Sequence, residues 1–327
     1  MADAAANAGG GLPAKIAAGD RRALARAITL AESSRAADRE AAEALLAEVL
    51  PLTGKSVRLG ISGPPGVGKS TFIERFGLHL LAEGHRLAVL AIDPTSKLSG
   101  GSILGDKTRM EELARRDATF IRPTPAGQAP GGVARRTREA VLLCETARFD
   151  VVIVETVGIG QSETAVADLT DLLVLLVQPG GGDDLQGIKR GVIELADLVL
   201  VTKADGELAA AASRTAADYQ SALHLLRGAG APPVLQCSGL TGAGVPEAWA
   251  AILRLRDAAQ DSGRFAQRRK DQALAWFRSE LSQGLAEWLD ADPALAARLA
   301  EAERAVRECA VLPPAAARAL LGSARGV

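Results

Sequence analysis

Residues 57–71 of the chain, Val-Arg-Leu-Gly-Ile-Ser-Gly-Pro-Pro-Gly-Val-Gly-Lys-Ser-Thr, combine an apolar run with a glycine-rich loop. The run from Val57 to Ser62 has the length and composition of a buried strand. The loop after it matches the pattern Gly-x-x-x-x-Gly-Lys-Ser, and a helix is expected to begin near Lys69. Glycines let the backbone of such a loop turn its N–H groups inward, where they form a concave site for an anion. The sequence therefore predicts an anion-binding loop between a strand and a helix.

The residue types of this loop predict a nucleoside triphosphate site. Lys69 is expected to reach the β- and γ-phosphates, and the Ser70 hydroxyl is expected to bind Mg²⁺. A turn that matches the pattern by chance would not explain why the loop stands between a strand and a helix. The residues that we expect to contact the nucleotide are Gly63, Pro64, Pro65, Gly66, Val67, Gly68, Lys69, Ser70 and Thr71.

Further apolar runs of strand length follow along the chain. They are Leu87–Asp93, Thr119–Arg122, Val151–Glu155, Leu172–Val177, Leu198–Val201 and Val234–Gln236. Several are apolar at consecutive positions, which is typical of strands buried on both faces of a parallel sheet. Segments of about 10 to 20 residues with helical periodicity lie between them. This alternation predicts an α/β fold with a doubly wound, mostly parallel sheet of the P-loop NTPase type.

The sequence divides into three predicted segments. Residues 1–53 predict two short amphipathic helices, residues 54–250 form the α/β domain with the anion-binding loop, and residues 251–327 predict helices only. In the last segment a second helix is expected after Pro293, and an alanine-rich turn is expected at the end of the chain. The long helix before Pro293 carries an apolar stripe with three- or four-residue spacing: Leu274, Phe277, Leu281, Leu285 and Trp288.

Three acidic residues are candidates for a metal site. Glu155 ends a predicted strand, and an acid in that position beside the phosphate loop can hold Mg²⁺ directly or through water. Gly158 follows it and would let a backbone N–H approach the γ-phosphate. Asp93 ends another strand and Asp106 follows in a glycine-rich loop, so both are further candidate Mg²⁺ ligands. The alternatives are that Glu155 is a surface acid, that Asp93 caps a turn, and that Asp106 is only solvated.

Two loops after later strands predict which base the site binds. The segment Thr202–Asp205 matches the N/TKxD pattern, with Thr202 in place of the usual asparagine. The Asp205 carboxylate can accept hydrogen bonds from N1–H and the exocyclic amine of guanine, whereas adenine has no such pair of donors. The stem of Lys203 can cover the ring. Ser238-Gly239-Leu240 stands after the last strand, where a second guanine-contacting loop is expected, so both loops favour GTP and GDP.

The composition argues against several functional classes. The 327 residues carry 38 lysines and arginines against 39 acids, and they include six Phe, three Trp and one Tyr, so no nucleic-acid partner is expected. No apolar run approaches the roughly 18 residues of a transmembrane helix, so no membrane partner is expected either. The three cysteines are isolated, and the N-terminal residues resemble no targeting segment. A cytoplasmic location is therefore predicted.

Several motifs together resemble those of the MeaB/ArgK-type GTPases, which are the methylmalonyl-CoA mutase-associated G-protein chaperones. The resemblance extends over roughly residues 20–320, and the combination is far more specific than a phosphate loop alone. The segments that carry it are Pro64–Thr71, Asp93–Ser96, Gly100–Met110, Glu155–Glu163 and Thr202–Asp205.

This resemblance implies a SIMIBI-type G domain that hydrolyses GTP. It implies an adenosylcobalamin-dependent methylmalonyl-CoA mutase as partner. In this family GTP hydrolysis gates the loading of the mutase cofactor and protects the mutase from inactivation. It also implies a homodimer built through C-terminal helices. The apolar residues Trp276, Phe277 and Trp288 favour such a dimer interface over an intramolecular core. The segments 93–106, 157–163 and 178–189 resemble nucleotide-dependent switches. Lys189 is a candidate catalytic residue that brings positive charge to the transferring phosphoryl group, unless it lies on a solvated helix face.

Three other functions remain alternatives. A metallochaperone-type GTPase usually carries His-rich tracts or paired cysteines, and this sequence has neither. A P-loop kinase would use the same phosphate loop, but the guanine-recognising Asp205 argues against it. A purely structural dimer would leave the nucleotide motifs without a role.

Overall fold

The computed structural model describes residues 11–33, 35–93, 110–125, 132–156, 162–180 and 190–324. Seven strands in these residues form one sheet with parallel neighbours: β1 Val57–Ser62, β2 Leu87–Asp93, β3 Thr119–Pro125, β4 Val151–Thr156, β5 Leu172–Val177, β6 Leu198–Val201 and β7 Val234–Gln236. Their order across the sheet is β3-β2-β4-β1-β5-β6-β7. The strand that leads into the phosphate loop is therefore the central one.

All seven predicted strands are confirmed, and five have the predicted bounds. Strand β4 is one residue longer, and β3 continues through Pro123 to Pro125 instead of ending at Arg122. Proline has no N–H for a sheet hydrogen bond, so two prolines are unusual in a strand. The structure accommodates both prolines because β3 is the edge strand of the described sheet, and no described strand pairs with its outer side.

Three helices precede the sheet: α1 Leu12–Ala17, α2 Arg21–Glu32 and α3 Ala36–Val49. We expected two. Asp20 explains the difference, because its carboxylate accepts hydrogen bonds from the N–H groups of Arg22 and Ala23 and so caps α2 as a separate helix. Their buried side chains pack in one core cluster with side chains of β2 and β4: Ile16, Leu24, Ala27, Ile28, Leu45 and Val49.

Helices cover both faces of the sheet. The helices are α4 Lys69–Ala82, α5 Glu111–Ala114, α6 Gly132–Thr146, α7 Ser162–Ala167, α8 Arg190–Leu195, α9 Ala209–Arg227 and α10 Val245–Asp261. Side chains of α4, α5 and α10 pack in the core cluster on one face. Side chains of α6 to α9 pack on the other face. Strand β5 is buried at every position as a result, and the doubly wound α/β architecture is confirmed.

The described chain ends in three helices: α11 Arg264–Ala291, α12 Pro293–Arg307 and α13 Pro313–Ala324. The long helix and the helix after Pro293 are confirmed, but the expected terminal turn is wrong. Pro313 starts a helix because proline fits the first helical position, where its missing N–H has no partner to lose. The chain forms two compact units, Met1–Arg269 and Lys270–Val327, and the segment boundaries that we expect after residues 53 and 250 stay predictions. Among the described helices, none is both long and apolar enough to cross a bilayer.

A buried ion pair closes the end of the sheet opposite the phosphate loop. Arg58 on β1 makes a bidentate contact with the Glu145 carboxylate on α6, with its Nε 2.8 Å from Oε1 and its Nη2 2.9 Å from Oε2. The hydroxyl of Ser56 and the N–H of Gly54 also donate to this carboxylate. Burial by itself would raise the pKa of Glu145, but Arg58 and these donors outweigh it and hold the pKa below its usual value.

Replacing Glu145 with glutamine should lower the free energy of unfolding by about 3 kcal/mol at pH 7, because Arg58 would be left as a buried charge without its partner. Since the folded-state pKa of Glu145 is lowered, its stabilisation is complete above the unfolded pKa of about 4.3 and is lost as the pH falls through the folded value. Urea unfolding at pH 7 and below pH 4 measures both effects. The exposed Glu48→Gln is the control. A pH-independent difference between Glu145→Gln and the original chain would contradict this account.

Candidate nucleotide-binding site

The phosphate loop leaves the central strand at a point suited to ligand binding. Strand β5 lies next to β1 in the sheet. The connection after β1 runs toward β2 on one side of this pair, whereas the connection after β5 runs toward β6 on the other side. Such a change of direction opens a crevice at the carboxyl ends of the strands. Gly63 begins the loop with φ +156°, and a Cβ there would lie 2.5 Å from the carbonyl oxygen of Leu176 on β5. Only glycine therefore fits this first position of the loop.

The charged side chain of the loop is folded into it. Lys69 is the first residue of α4 and is only 8% exposed. Its Nζ donates to the carbonyl oxygens of Gly63 at 2.7 Å and Pro64 at 3.1 Å. Gly68, just before the helix, has φ +94° and a Cβ there would meet no atom within 4 Å. The loop thus places the Lys69 ammonium group, held by two carbonyl oxygens, beside a stretch of backbone with free space next to it. This arrangement can bind phosphate oxygens.

A carboxylate and a hydroxyl meet beside the loop. Glu155 is paired in register with Ile61, so it lies at the carboxyl end of β4, next to β1. The residue is 3% exposed, which does not fit the alternative of a surface acid. The Ser70 hydroxyl donates to Glu155 Oε1 at 3.4 Å. The structure therefore brings together two of the four candidate metal ligands.

The remaining predicted phosphate and metal contacts are described only in part. Asp93 is the last residue of β2, and Ile92 pairs with Thr156, so the backbone of Asp93 lies at the same edge of the sheet as Glu155. Asp106, Gly158 and Lys189 lie outside the described residues. The same is true of most of the three predicted switch segments.

The two predicted base-binding loops are joined to each other. Ser238 is fully buried, and its hydroxyl donates to the Asp205 carboxylate and accepts from the N–H of Thr241 at 3.0 Å. The N–H of Ala204 donates to the carbonyl oxygen of Cys237 at 3.1 Å. Burial raises the pKa of the Cys237 thiol to about 12, so this side chain stays neutral and packs as an apolar group.

Helix α4 supports the second base loop through a residue that sequence analysis missed. The guanidinium of Arg75 donates to the carbonyl oxygens of Leu240 at 2.8 Å and Gly239 at 3.4 Å. A Cβ on Gly239 would lie 3.1 Å from Cγ2 of Thr71, so the loop passes close over the first turn of α4. Leu240 itself is 71% exposed and available to a ligand. A single arginine on a helix gives no local signal of this role.

Thr202 connects the base-binding side of the site to the phosphate loop. Its hydroxyl lies 2.7 Å from the carbonyl oxygen of Val67 in the loop and 3.1 Å from that of Val177 at the end of β5. The residue is 3% exposed. Sequence analysis treated Thr202 only as a departure from asparagine. In the structure the Thr202 hydroxyl links the loop that precedes α4 to the segment that carries Asp205.

Replacing Thr202 with valine should raise the KM for GTP about tenfold with a smaller change in kcat. Valine keeps the shape of the side chain but removes the hydroxyl donor to the buried carbonyl oxygen of Val67, a loss of about 1–3 kcal/mol. Steady-state hydrolysis assays check this, with Thr202→Ser as the matched control that keeps the hydroxyl and should behave like the original chain. Equal KM values for the valine and serine variants would show that the hydroxyl does not position the loop.

Comparisons with known proteins show which family the chain belongs to. The family model described as "Methylmalonyl Co-A mutase-associated GTPase MeaB" matches residues 24–294. A relative from Caulobacter vibrioides is 55% identical over 312 residues, which are 94% of this chain and 95% of that protein. The Escherichia coli GTPase ArgK is 47% identical over 272 residues, covering 82% of each chain.

A mouse relative and a solved structure extend this comparison. The mouse protein named methylmalonic aciduria type A homolog, mitochondrial, is 47% identical over 316 residues, which cover 93% of this chain and 76% of that protein. The crystal structure of a LAO/AO transport system kinase has a TM-score of 0.76 and 37% identity, with 96% of each chain covered. The family model and the relatives that are named GTPases match most of the chain, and they show that the protein is a GTPase. The chain belongs to the MeaB family of methylmalonyl-CoA mutase-associated GTPases.

Proposed function

We propose that this GTPase is a chaperone for an adenosylcobalamin-dependent methylmalonyl-CoA mutase. In this proposal GTP hydrolysis gates the loading of the mutase cofactor and protects the mutase from inactivation. The observation that carries the proposal is the match to the mutase-associated family over residues 24–294, which include the phosphate loop and both base loops. We also propose a cytoplasmic location.

Asp205 is proposed to select guanine. Its carboxylate would accept from N1–H and the exocyclic amine of the base, and the stem of Lys203 would cover the ring. The contact from Ser238 supports this role, because a hydroxyl that donates to the carboxylate limits its rotation. Lys203 has φ +54°, which turns the backbone sharply between Thr202 and Asp205. The exposed Leu240 and its neighbour Gly239 are proposed to contact the guanine base on the side opposite the Lys203 stem.

Mg²⁺ is proposed to bind between Ser70 and Glu155. Both side chains offer the oxygen donors that this ion prefers, and their oxygens lie 3.4 Å apart beside the phosphate loop, so Ser70 and Glu155 would hold the ion. When bound with GTP, Mg²⁺ neutralises charge on the β- and γ-phosphates. Asp93 and Asp106 remain candidate ligands from the sequence.

The protein groups mainly hold and orient the phosphates for attack by water. Lys69 would exchange its two carbonyl contacts for oxygens of the β- and γ-phosphates, which keeps its charge beside the bond that breaks. Backbone N–H groups from Gly66 to Thr71, the part of the loop after its two prolines, would donate to the same phosphates. Gly158 and Lys189 are proposed to meet the γ-phosphate, Lys189 after the mutase has docked. Hydrolysis by the chain alone is therefore expected to be slow.

Single-turnover GTP hydrolysis with and without purified mutase tests the partner proposal. We expect a faster turnover when the mutase is present and saturating, because Lys189 would then bring its positive charge to the γ-phosphate. An adenosylcobalamin-dependent mutase of unrelated substrate serves as the control protein. Equal rates with and without methylmalonyl-CoA mutase would refute the partner-activation proposal. They would leave the assignment as a GTPase intact.

A kinase is the second candidate function, because the solved structure at 37% identity is named a LAO/AO transport system kinase. The two candidates differ in where the γ-phosphate goes. A GTPase transfers it to water, so inorganic phosphate should account for all GTP consumed. Radiolabelled phosphate found on a protein or small molecule in a cell extract, but not when Lys69→Ala replaces the original chain, would favour the kinase.

A homodimer is proposed through α11. Its apolar stripe is exposed within the second compact unit, with Phe277 at 62% and Leu281 at 52% exposure, and such a stripe is expected to bury itself against a partner. Light scattering coupled to gel filtration should give twice the chain mass. Phe277→Glu should give the monomer mass, whereas Ser279→Glu, off the stripe on the same helix, should not. A monomeric original chain would contradict this proposal.

A further inference from the structure

A second cavity lies at the end of the sheet opposite the nucleotide site. Its volume is about 440 Å³, and it is lined by residues at the beginnings of β5 and β6, at the end of α9, on α10 and in the first turns of α11. All of these residues belong to the first compact unit. The volume is within the range of small-molecule sites, roughly 300–1,000 Å³. None of the lining residues belongs to the proposed nucleotide site.

Three arginines and two aspartates line the cavity, and one aspartate is already neutralised. Asp171 accepts from Nε and Nη2 of Arg269 at 2.8 Å each, and also from the N–H of Arg58 at 2.8 Å. Its side chain is 2% exposed. Arg269, which does not line the cavity, therefore neutralises the charge of Asp171. This aspartate does not neutralise the arginines that line the cavity.

The second aspartate balances only one of the arginines. Asp197 Oδ2 is 3.3 Å from Nη1 of Arg268, and the same oxygen accepts from the N–H of Leu173 at 2.8 Å. The other guanidinium arm of Arg268 donates to the carbonyl oxygen of Ala167 at 3.3 Å. Arg268 is thus paired and fixed in place.

The other two arginines have no carboxylate partner among the described residues. Arg227 donates to the carbonyl oxygens of Ala196 at 3.0 Å and Ile193 at 3.4 Å, which hold the guanidinium without neutralising it. Arg264 donates through Nε to the Ser262 hydroxyl at 3.0 Å. Each guanidinium has five N–H donors, so both retain donors for a ligand. The cavity consequently carries an excess of positive charge, of which the Arg227 guanidinium is held in place by two carbonyl oxygens.

The rest of the lining is apolar. Leu172, Leu255, Ala259 and Phe265 face the cavity together with two prolines before β7. A bare inorganic ion would leave these walls in contact with water. We propose that this cavity binds a small organic anion, in which a phosphate or carboxylate group contacts Arg227 and Arg264 and an apolar body packs against Leu255 and Phe265. Guanidinium groups bind both kinds of anion through paired hydrogen bonds.

Calorimetric titration of the GDP-saturated protein with phenyl phosphate tests this site. Saturating GDP keeps the probe out of the phosphate loop. We expect one phenyl phosphate per chain, with at least tenfold weaker binding of phenol, which lacks the charge, and of inorganic phosphate, which lacks the apolar body. Benzoate should compete with phenyl phosphate if the site accepts carboxylates as well. The absence of saturable binding would overturn the proposal, as would equal affinity for phenol.

Substitution of one lining arginine tests whether phenyl phosphate binds in this cavity or elsewhere on the surface. Arg264→Gln should weaken phenyl phosphate binding about tenfold, because a charge-assisted contact is lost while the exposed side chain carries little of the fold. Arg254→Gln, an exposed arginine of α10 outside the lining, should leave the affinity unchanged. Both variants should retain the GTPase activity and unfolding temperature of the original chain. Equal losses of affinity in both variants would show that the probe binds elsewhere, and the proposal would fail.

Discussion

Alanine in place of Lys69 should lower GTP hydrolysis by about 100- to 1,000-fold and remove measurable GTP binding. The ammonium is the only charge that the described loop directs into its own interior, where Nζ lies 2.7 Å and 3.1 Å from two loop carbonyl oxygens. Removing a group of this kind from a phosphoryl-transfer site withdraws stabilisation of the developing negative charge. Calorimetry with GTP and a phosphate-release assay measure the two effects separately.

Lys55→Ala is the matched control for that substitution. Lys55 is exposed and precedes β1, at the opposite end of the strand from the phosphate loop. It should keep the GTP affinity and hydrolysis rate of the original chain, and both variants should show cooperative unfolding. If Lys69→Ala still bound GTP with unchanged affinity, the glycine-rich loop would not be the phosphate site, and the roles given to Ser70 and Glu155 would fail with it.

Much of the fold could be predicted because the relevant signals are local. Strands buried on both faces, such as β5, appear in the sequence as unbroken apolar runs, and their bounds are therefore accurate. The errors occurred where tertiary context decides the outcome. Pro123 is acceptable in β3 only because that strand is at the sheet edge. Asp20 divides the N-terminal helical pattern through a cap that depends on its backbone conformation.

The candidate site likewise combines motifs that are contiguous in the sequence with contacts between residues far apart in it. The phosphate loop and the segment Thr202–Asp205 are contiguous, so residue types at fixed spacing suffice to predict them. The contacts that join these parts link distant residues: Thr202 reaches Val67 across 135 positions, and Arg75 reaches Leu240 across 165. Neither residue is unusual in its own neighbourhood. A single sequence therefore indicates the chemical groups of the site but not the interactions that hold them in register.

Asparagine in place of Asp205 should lower kcat/KM for GTP by about 100-fold or more and raise kcat/KM for XTP. The carboxylate is expected to accept two hydrogen bonds from guanine, and bonds to a charged group contribute about 1.5–3 kcal/mol each. An asparagine amide can accept from N1–H but presents a donor to the exocyclic amine of guanine. Xanthine has a carbonyl oxygen at that position, which accepts from the amide. Parallel assays with GTP, XTP and ATP measure the change in preference.

The reversal toward XTP distinguishes base recognition from a loss of folding, because a damaged site would lose activity with every nucleotide. The Ser238 hydroxyl can still donate to the amide oxygen of asparagine, so the junction between the two base loops should persist. Asp218→Asn, an exposed position on α9, removes the same charge without touching these loops and should leave all three kcat/KM values unchanged. A fall in GTP activity without any gain for XTP would mean that Asp205 supports the loop but does not contact the base. Unchanged preference for GTP over XTP would place guanine recognition elsewhere in the chain.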